Sequence, residues 1–167
     1  MLFENKTAII TGAGSGIGLE VAKRMHQAGA NIVMNGRNAV KLEGAADSIS
    51  QDRSRIHLIA ADIALPTTAE ALAESAETAF GGLDILINNA GIFEPKPFLE
   101  LSEAEYDRFL DIILKGKFFA AQSAAKVMKR RGGGTIVQTG SMWALQAIGA
   151  TPSAAYSAAN AGVHQLV

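Results

Sequence analysis

Cysteine is absent from the 167 residues, which excludes disulfides, thiolate metal sites and a cysteine nucleophile. Long apolar runs are absent as well. None could cross a bilayer, and the opening Met1-Leu2-Phe3-Glu4-Asn5-Lys6 is too polar for a secretory leader, so no membrane partner and a cytoplasmic location are expected. Neither sign of charge is in excess. Lys and Arg number 15 against 16 Asp and Glu, a net charge of −1, which argues against nucleic acid as a partner. The three histidines, His26, His57 and His164, have no ligand spacing, so no metal site is expected. Linkers, low-complexity tracts and internal repeats are missing too. Hydrophobic residues make up 49% and charged residues 19%, an ordinary globular balance for one domain with a real core.

What is present is a regular alternation of short apolar runs and helical patterns. Strands are predicted over residues 7–10, 31–35, 55–60, 83–87 and 135–139. Helices are predicted from Gly16 to Ala28 with Gly29 as the stop, from Ala39 to Ile49, and from Pro66 to the stop at Gly81-Gly82. Ser102 with Glu105 three residues on is a capping box that opens a long helix, from Glu103 to Arg130, ended by Gly132-Gly133-Gly134. A loop from Gly140 to Pro152 leads to a last helix that starts near Ser153 and is still running at Val167. Strands separated by helices call for right-handed crossovers and a parallel sheet covered on both faces. The expected fold is α/β, a doubly wound parallel sheet of the Rossmann type in three α/β/α layers. It forms one domain over residues 1–167.

The most informative stretch is Thr11-Gly12-Ala13-Gly14-Ser15-Gly16-Ile17-Gly18, between the apolar run Ala8-Ile9-Ile10 and a helix that repeats Ile17, Val21 and Met25. A strand, a glycine turn and a helix place a phosphate at a helix N-terminus. Gly12 permits the tight turn, and Gly16 and Gly18 leave room for a dinucleotide and for the helix to approach the sheet.

Four features in order resemble the short-chain dehydrogenase/reductase family: Thr11-Gly12-x-x-x-Gly16-Ile17-Gly18, Asn88-Asn89-Ala90-Gly91, Ser141 after the fifth strand, and Tyr156 opening the last helix. The resemblance covers essentially the whole chain. It implies a nicotinamide cofactor and hydride transfer to or from a small-molecule carbonyl or alcohol. It also implies a homo-oligomer built through the long helix and the last helix. Complete members continue past this point with further strands and a substrate-covering segment, so the chain is expected to be part of a longer one, or else to have its fifth strand covered by a partner subunit.

The second strand ends Asn35-Gly36-Arg37-Asn38, with no carboxylate to hold an adenosine ribose, and Arg37 offers a fork for a 2′-phosphate. NADP(H) is therefore favoured, with NAD(H) possible. Asp62-Ile63 resembles the family's pair beside the adenine, and Asn89-Ala90-Gly91 lies where the ribose and nicotinamide side would pass.

In the family the tyrosine is the general acid/base, the serine binds the substrate oxygen, a lysine four residues after the tyrosine lowers its pKa, and an asparagine in the long helix completes a proton relay. Ser141 and Tyr156 are present, fifteen positions apart, but Asn160 stands where the lysine is expected and Ile113 where the asparagine is expected. A tyrosine with no cationic neighbour is phenolate in only about one molecule in a thousand at pH 7. Alcohol oxidation should suffer most, while neutral Tyr156 can still donate a proton to a carbonyl oxygen. Asn160 could hydrogen-bond ribose hydroxyls without supplying charge. Lys115 and Lys117 read as solvated or interfacial. Lys126, Lys129, Arg130 and Arg131 suit the C-terminal dipole of the long helix. The apolar stretch from Met142 to Gly149 fits either a substrate pocket or a packing surface, and Phe93, Phe98 and Trp143 suggest an apolar substrate. Two functional readings follow. One is an NADP(H)-dependent oxidoreductase; the other is a cofactor-binding homologue with little turnover, serving as a sensor or an assembly partner.

Overall fold

Residues 1–146 and 149–166 are described by a computed structural model. Five parallel strands, β1 (Thr7–Thr11), β2 (Asn31–Gly36), β3 (Ile56–Ala60), β4 (Ile85–Asn88) and β5 (Thr135–Gln138), form one sheet in the order β3-β2-β1-β4-β5. The helices are α1 (Gly16–Gln27), α2 (Ala39–Ile49), α3 (Pro66–Phe80), α4 (Glu103–Phe109), α5 (Gly116–Arg130) and α6 (Ala154–His164). The doubly wound α/β fold expected from the sequence is the one observed.

Period-2 alternation in the central strands builds the two cores. Ile9 and Val33 point to the face covered by α3 and α5, where Leu72, Ala76 and Val127 pack on them. Their neighbours Ile10 and Met34 point to the other face, against Ala22, Met25 and Leu42 of α1 and α2. All five residues of β1 are buried, as expected of a strand covered on both sides. The chain runs outward from β1 through β2 to β3, then returns to place β4 on the other flank of β1. The turns after β1 and β4 thus meet at the point where strand order reverses, which is where open α/β sheets bind ligands.

Three features differ from the sequence expectation. The predicted long helix is interrupted by a π-helical segment, Leu110–Lys115, between α4 and α5. This segment packs Ile113 against Ala155, Ala159 and Val163 of α6 in a third, smaller core. The buried stripe of α1 is Gly18, Ala22, Met25 and His26, one position off the predicted repeat, and Ile17 is 68% exposed. The last helix ends at His164, followed by Gln165 as its C-cap, and Val167 lies outside the described residues. Among the described residues, no helix is long and apolar enough to cross a membrane.

Candidate functional site

Thr11, the last residue of β1, ties the two switch-point turns together. Its buried hydroxyl accepts hydrogen bonds from the backbone N–H groups of Asn89 and Ala90, both at 2.9 Å, and donates to Asn88 Oδ1 at 3.5 Å. Asn89 Nδ2 in turn donates to the Thr11 carbonyl at 3.1 Å. Asn88, fully buried, donates to the Lys117 carbonyl at 2.8 Å and so anchors the start of α5. The glycines let this close approach happen. Gly12 has φ +67°, and a Cβ there would lie 3.1 Å from Ala90 Cα and from Asn89 Nδ2. A Cβ on Gly18 would lie 2.8 Å from the Gly12 carbonyl carbon.

A groove of about 380 Å³ opens along this seam. Gly12, Gly14 and Ser15 line it on the α1 side, Arg37 beyond β2, Asp62 and Ile63 after β3, and Asn89, Ala90 and Gly91 after β4. Gly16 and Gly18 are not in its lining and shape the turn without facing the groove, while Ile17 lines the adjoining cavity. Ser15 is the N-cap of α1 but its side chain bonds nothing there, and the first turn carries no acidic residue. The first-turn amides therefore have no side-chain acceptor and stand ready for an anion.

At the end beyond β2 the groove wall includes Arg37, Asn38 and Lys41. Asn38 caps α2, accepting from Lys41 N at 2.9 Å. Among the described residues neither Arg37 nor Lys41 belongs to an ion pair. Asn35, which stands where a ribose-binding carboxylate would be sought, is buried and donates to the Ile59 and Ala61 carbonyls, each at 3.0 Å. Lys41 was not among the residues expected from the sequence, although it lies four positions after Arg37 in the same capped turn.

The other end of the groove shares Asn89, Gly91 and Ile92 with a second cavity of about 230 Å³. Ile17, Phe93, Ile113, Lys117, Thr139, Gly140, Tyr156 and Asn160 complete that cavity. Tyr156 is half-buried, its ring edge-on to Phe93 with centroids 5.0 Å apart and to Trp143 at 5.9 Å. Asn160 is buried and its amide donates to the Tyr156 carbonyl at 2.9 Å, so its nitrogen is committed within α6. Ile113 is a buried apolar wall. Ser141 does not line this cavity; its hydroxyl accepts from Trp143 N at 3.2 Å and caps the turn Met142–Ala144. Of the stretch expected to form either a pocket or a packing surface, Trp143 packs on the aromatic cluster and, with Ala144, Leu145 and Gln146, lines a separate cavity of about 500 Å³; Met142 and Leu145 are exposed, and Ala147 and Ile148 lie outside the described residues.

Lys117 is the main correction to the sequence reading. It is 2% exposed rather than solvated, and its ammonium donates to the Thr139 carbonyl. Burial pushes its pKa down from 10.5 to about 8. Its place on the helix could have signalled this, because Ile113, Lys117, Ala120 and Ala124 follow one another at helical spacing and all four are buried.

Among the described residues no group of three or more His, Asp or Glu side chains is gathered to hold a metal ion. His26, His57 and His164 lie on α1, β3 and α6 respectively.

Similarity to known proteins accords with this geometry. A family-wide sequence model described as short chain dehydrogenase matches residues 6–167. An uncharacterised oxidoreductase of Staphylococcus aureus strain USA300 is 34% identical over 162 residues, which are 97% of this chain and 68% of that protein. The BbsD subunit of (2S)-[(R)-hydroxy(phenyl)methyl]succinyl-CoA dehydrogenase from Thauera aromatica is 36% identical, over 98% of this chain and 64% of its own. A crystal structure of a short-chain dehydrogenase/reductase from Mycobacterium marinum superposes with a TM-score of 0.92 at 33% identity, covering 99% of this chain and 68% of its own. One from Bacillus anthracis gives 0.93 at 32% identity, covering 98% and 66%. The chain belongs to the short-chain dehydrogenase family.

Proposed function

We propose that this chain is an NADP(H)-dependent oxidoreductase that transfers a hydride between the nicotinamide and a carbonyl or alcohol. The observation that carries the reading is the continuous path from Arg37 and Lys41, past the glycine turn, to the cavity holding Tyr156. The residues present fit such a cofactor. The α1 amides without a side-chain cap suit the pyrophosphate, and Arg37 and Lys41, which join none of the ion pairs among the described residues, suit a 2′-phosphate better than a bare ribose. Asp62 and Ile63 flank the adenine end, and Asn89, Ala90 and Gly91 the nicotinamide end. The bound cofactor supplies or accepts the hydride.

In this reading Tyr156 donates a proton to the substrate oxygen, and Phe93 and Trp143 hold its ring by edge contacts. Ser141, with its hydroxyl proton still free to donate, would bind the substrate oxygen. The exposed Tyr106 and Phe118 on α4 and α5 offer an apolar face for a second copy of the chain. Presenting NADPH with a panel of aldehydes and ketones tests the activity. Consumption of NADPH that Tyr156→Phe abolishes is the expected result.

The committed amide of Asn160 and the apolar Ile113 favour a second reading, a cofactor-binding homologue with little turnover. Asn160→Lys together with Ile113→Asn separates the two. Turnover that appears only in the substituted chain favours the second reading, and comparable turnover in both excludes it.

A further inference from the structure

Lys117 is a charged side chain nine-tenths buried or more, and the established family pattern does not account for it. An ammonium has three donors. Among the described residues Lys117 uses one, toward the Thr139 carbonyl, and no carboxylate forms an ion pair with it. A buried cation without a counter-charge is expensive, and such groups concentrate at sites that use them. This one lines the cavity that also holds Tyr156 and Asn160, next to the end of the groove shared through Asn89 and Gly91.

The neighbouring titratable groups are few. On α6 they are Tyr156 and His164, whose ring lies against Gly140. On the π segment Asp111 is engaged with Lys115 at 2.6 Å. β4, β5 and the turns after them contribute Asn88, Asn89 and Thr139, none of which titrates. Among the described residues, Tyr156 is therefore the one acid that shares the cavity with Lys117.

We infer that Lys117 supplies, from α5, the cation that α6 lacks at Asn160, and that it acts as the proton reservoir for Tyr156. The inference rests on the oxidoreductase reading above. In carbonyl reduction the substrate oxygen takes the proton of Tyr156 Oη. The phenolate left behind takes one from the Lys117 ammonium, directly or through a water in the cavity. The neutral amine then recovers a proton from solvent. Ile113 cannot pass a proton, so this path replaces the relay that the long helix otherwise carries. The depressed pKa of Lys117 suits the role, since a group near neutrality both gives and regains a proton readily. Lys117 is a positioning and proton-supplying residue acting through Tyr156.

The test reads Lys117 itself. Lysine side-chain carbon resonances are followed against pH in the full chain and in Tyr156→Phe, without cofactor. Lys117 should titrate near pH 8 in the parent. Tyr156→Phe removes the phenol oxygen as an acceptor for the ammonium, so the Lys117 midpoint should fall measurably. An unchanged midpoint would overturn the inference. With NADPH and the aldehyde panel, Lys117→Met should lower kcat by about 100-fold while leaving NADPH affinity within about twofold, and adding Asn160→Lys should restore at least about tenfold. Undiminished kcat, or a loss that Asn160→Lys does not repair, counts against it. NADPH binding is measured separately, so failure of the oxidoreductase reading and failure of the Lys117 role are distinguishable.

Discussion

Replacing Lys117 by Met should make the fold more stable near neutral pH. The folded pKa, about 8, lies below the ordinary 10.5, so the unfolded chain holds this proton more tightly than the folded one. A fall of about 2.5 in pKa, at about 1.36 kcal/mol for each factor of ten, is a penalty of about 3 kcal/mol. The penalty is complete below pH 8, where the side chain is charged in both states. It is relieved as pH rises from about 8 to 10.5, because the folded side chain has then lost its proton while the unfolded one retains it. Met matches the apolar stem and carries no charge. It forgoes the hydrogen bond to the Thr139 carbonyl, worth about 1 kcal/mol for a neutral donor, so the net gain at pH 7 is about 2 kcal/mol. For a chain of this size that is a rise in Tm of about 6 °C. Urea unfolding followed by circular dichroism at pH 7 and at pH 10.5 measures it, and the difference between parent and variant removes the other titrating groups. A variant no more stable than the parent at pH 7, or a gap that does not narrow by pH 10.5, would refute the reasoning.

Thr11→Val keeps the shape of β1 but removes the acceptor for two backbone N–H groups in a buried seam; urea unfolding should show a loss of about 2–4 kcal/mol together with loss of NADPH binding. Gly18→Ala drives a Cβ into the Gly12 carbonyl, and should lower stability by about 1–3 kcal/mol and weaken NADPH binding measured by fluorescence. Lys96 above all, then Ser102, holds the Glu105 carboxyl down to about 2, below its ordinary 4.5. That contribution is present above pH 4.5 and is lost as pH falls toward 2. Amide-exchange protection at the start of α4 should drop in the same window, and Glu105→Gln should abolish the pH dependence.

Much of this structure was legible because its signals are local. Pro66 sits in the first turn of α3, Gly81 ends that helix in the left-handed conformation, and the Ser102–Glu105 capping box is formed at α4. The strands stood out because short apolar runs fall between glycine stops. The π segment was not legible, since Leu110 to Lys115 carries the same apolar spacing as ordinary helix and only packing against α6 decides its winding. The four-residue repeat through Ile17 fits two adjacent stripes of α1, and only the seam with Asn89 chooses the one through Gly18. Lys117 was misread for a chemical reason. Lysine is seldom buried, and the family resemblance puts the long helix against a neighbouring subunit, which favours an outward face. The groove itself was largely visible in the sequence, as Gly12, Gly14, Ser15, Arg37 and Asn89-Ala90-Gly91. Lys41 reaches the groove wall through the way Asn38 starts α2, which the sequence pattern does not display.

Calorimetric titration of the full chain with NADPH and with NADH tests the central claim, that the groove beside the glycine turn receives a 2′-phosphorylated dinucleotide. One charge-assisted contact to phosphate corresponds to about a tenfold difference, so NADPH should bind at least about tenfold more tightly than NADH, and Arg37→Ala should remove most of the difference while leaving NADH affinity nearly unchanged. Binding of neither nucleotide, or tighter binding of NADH, would contradict the account.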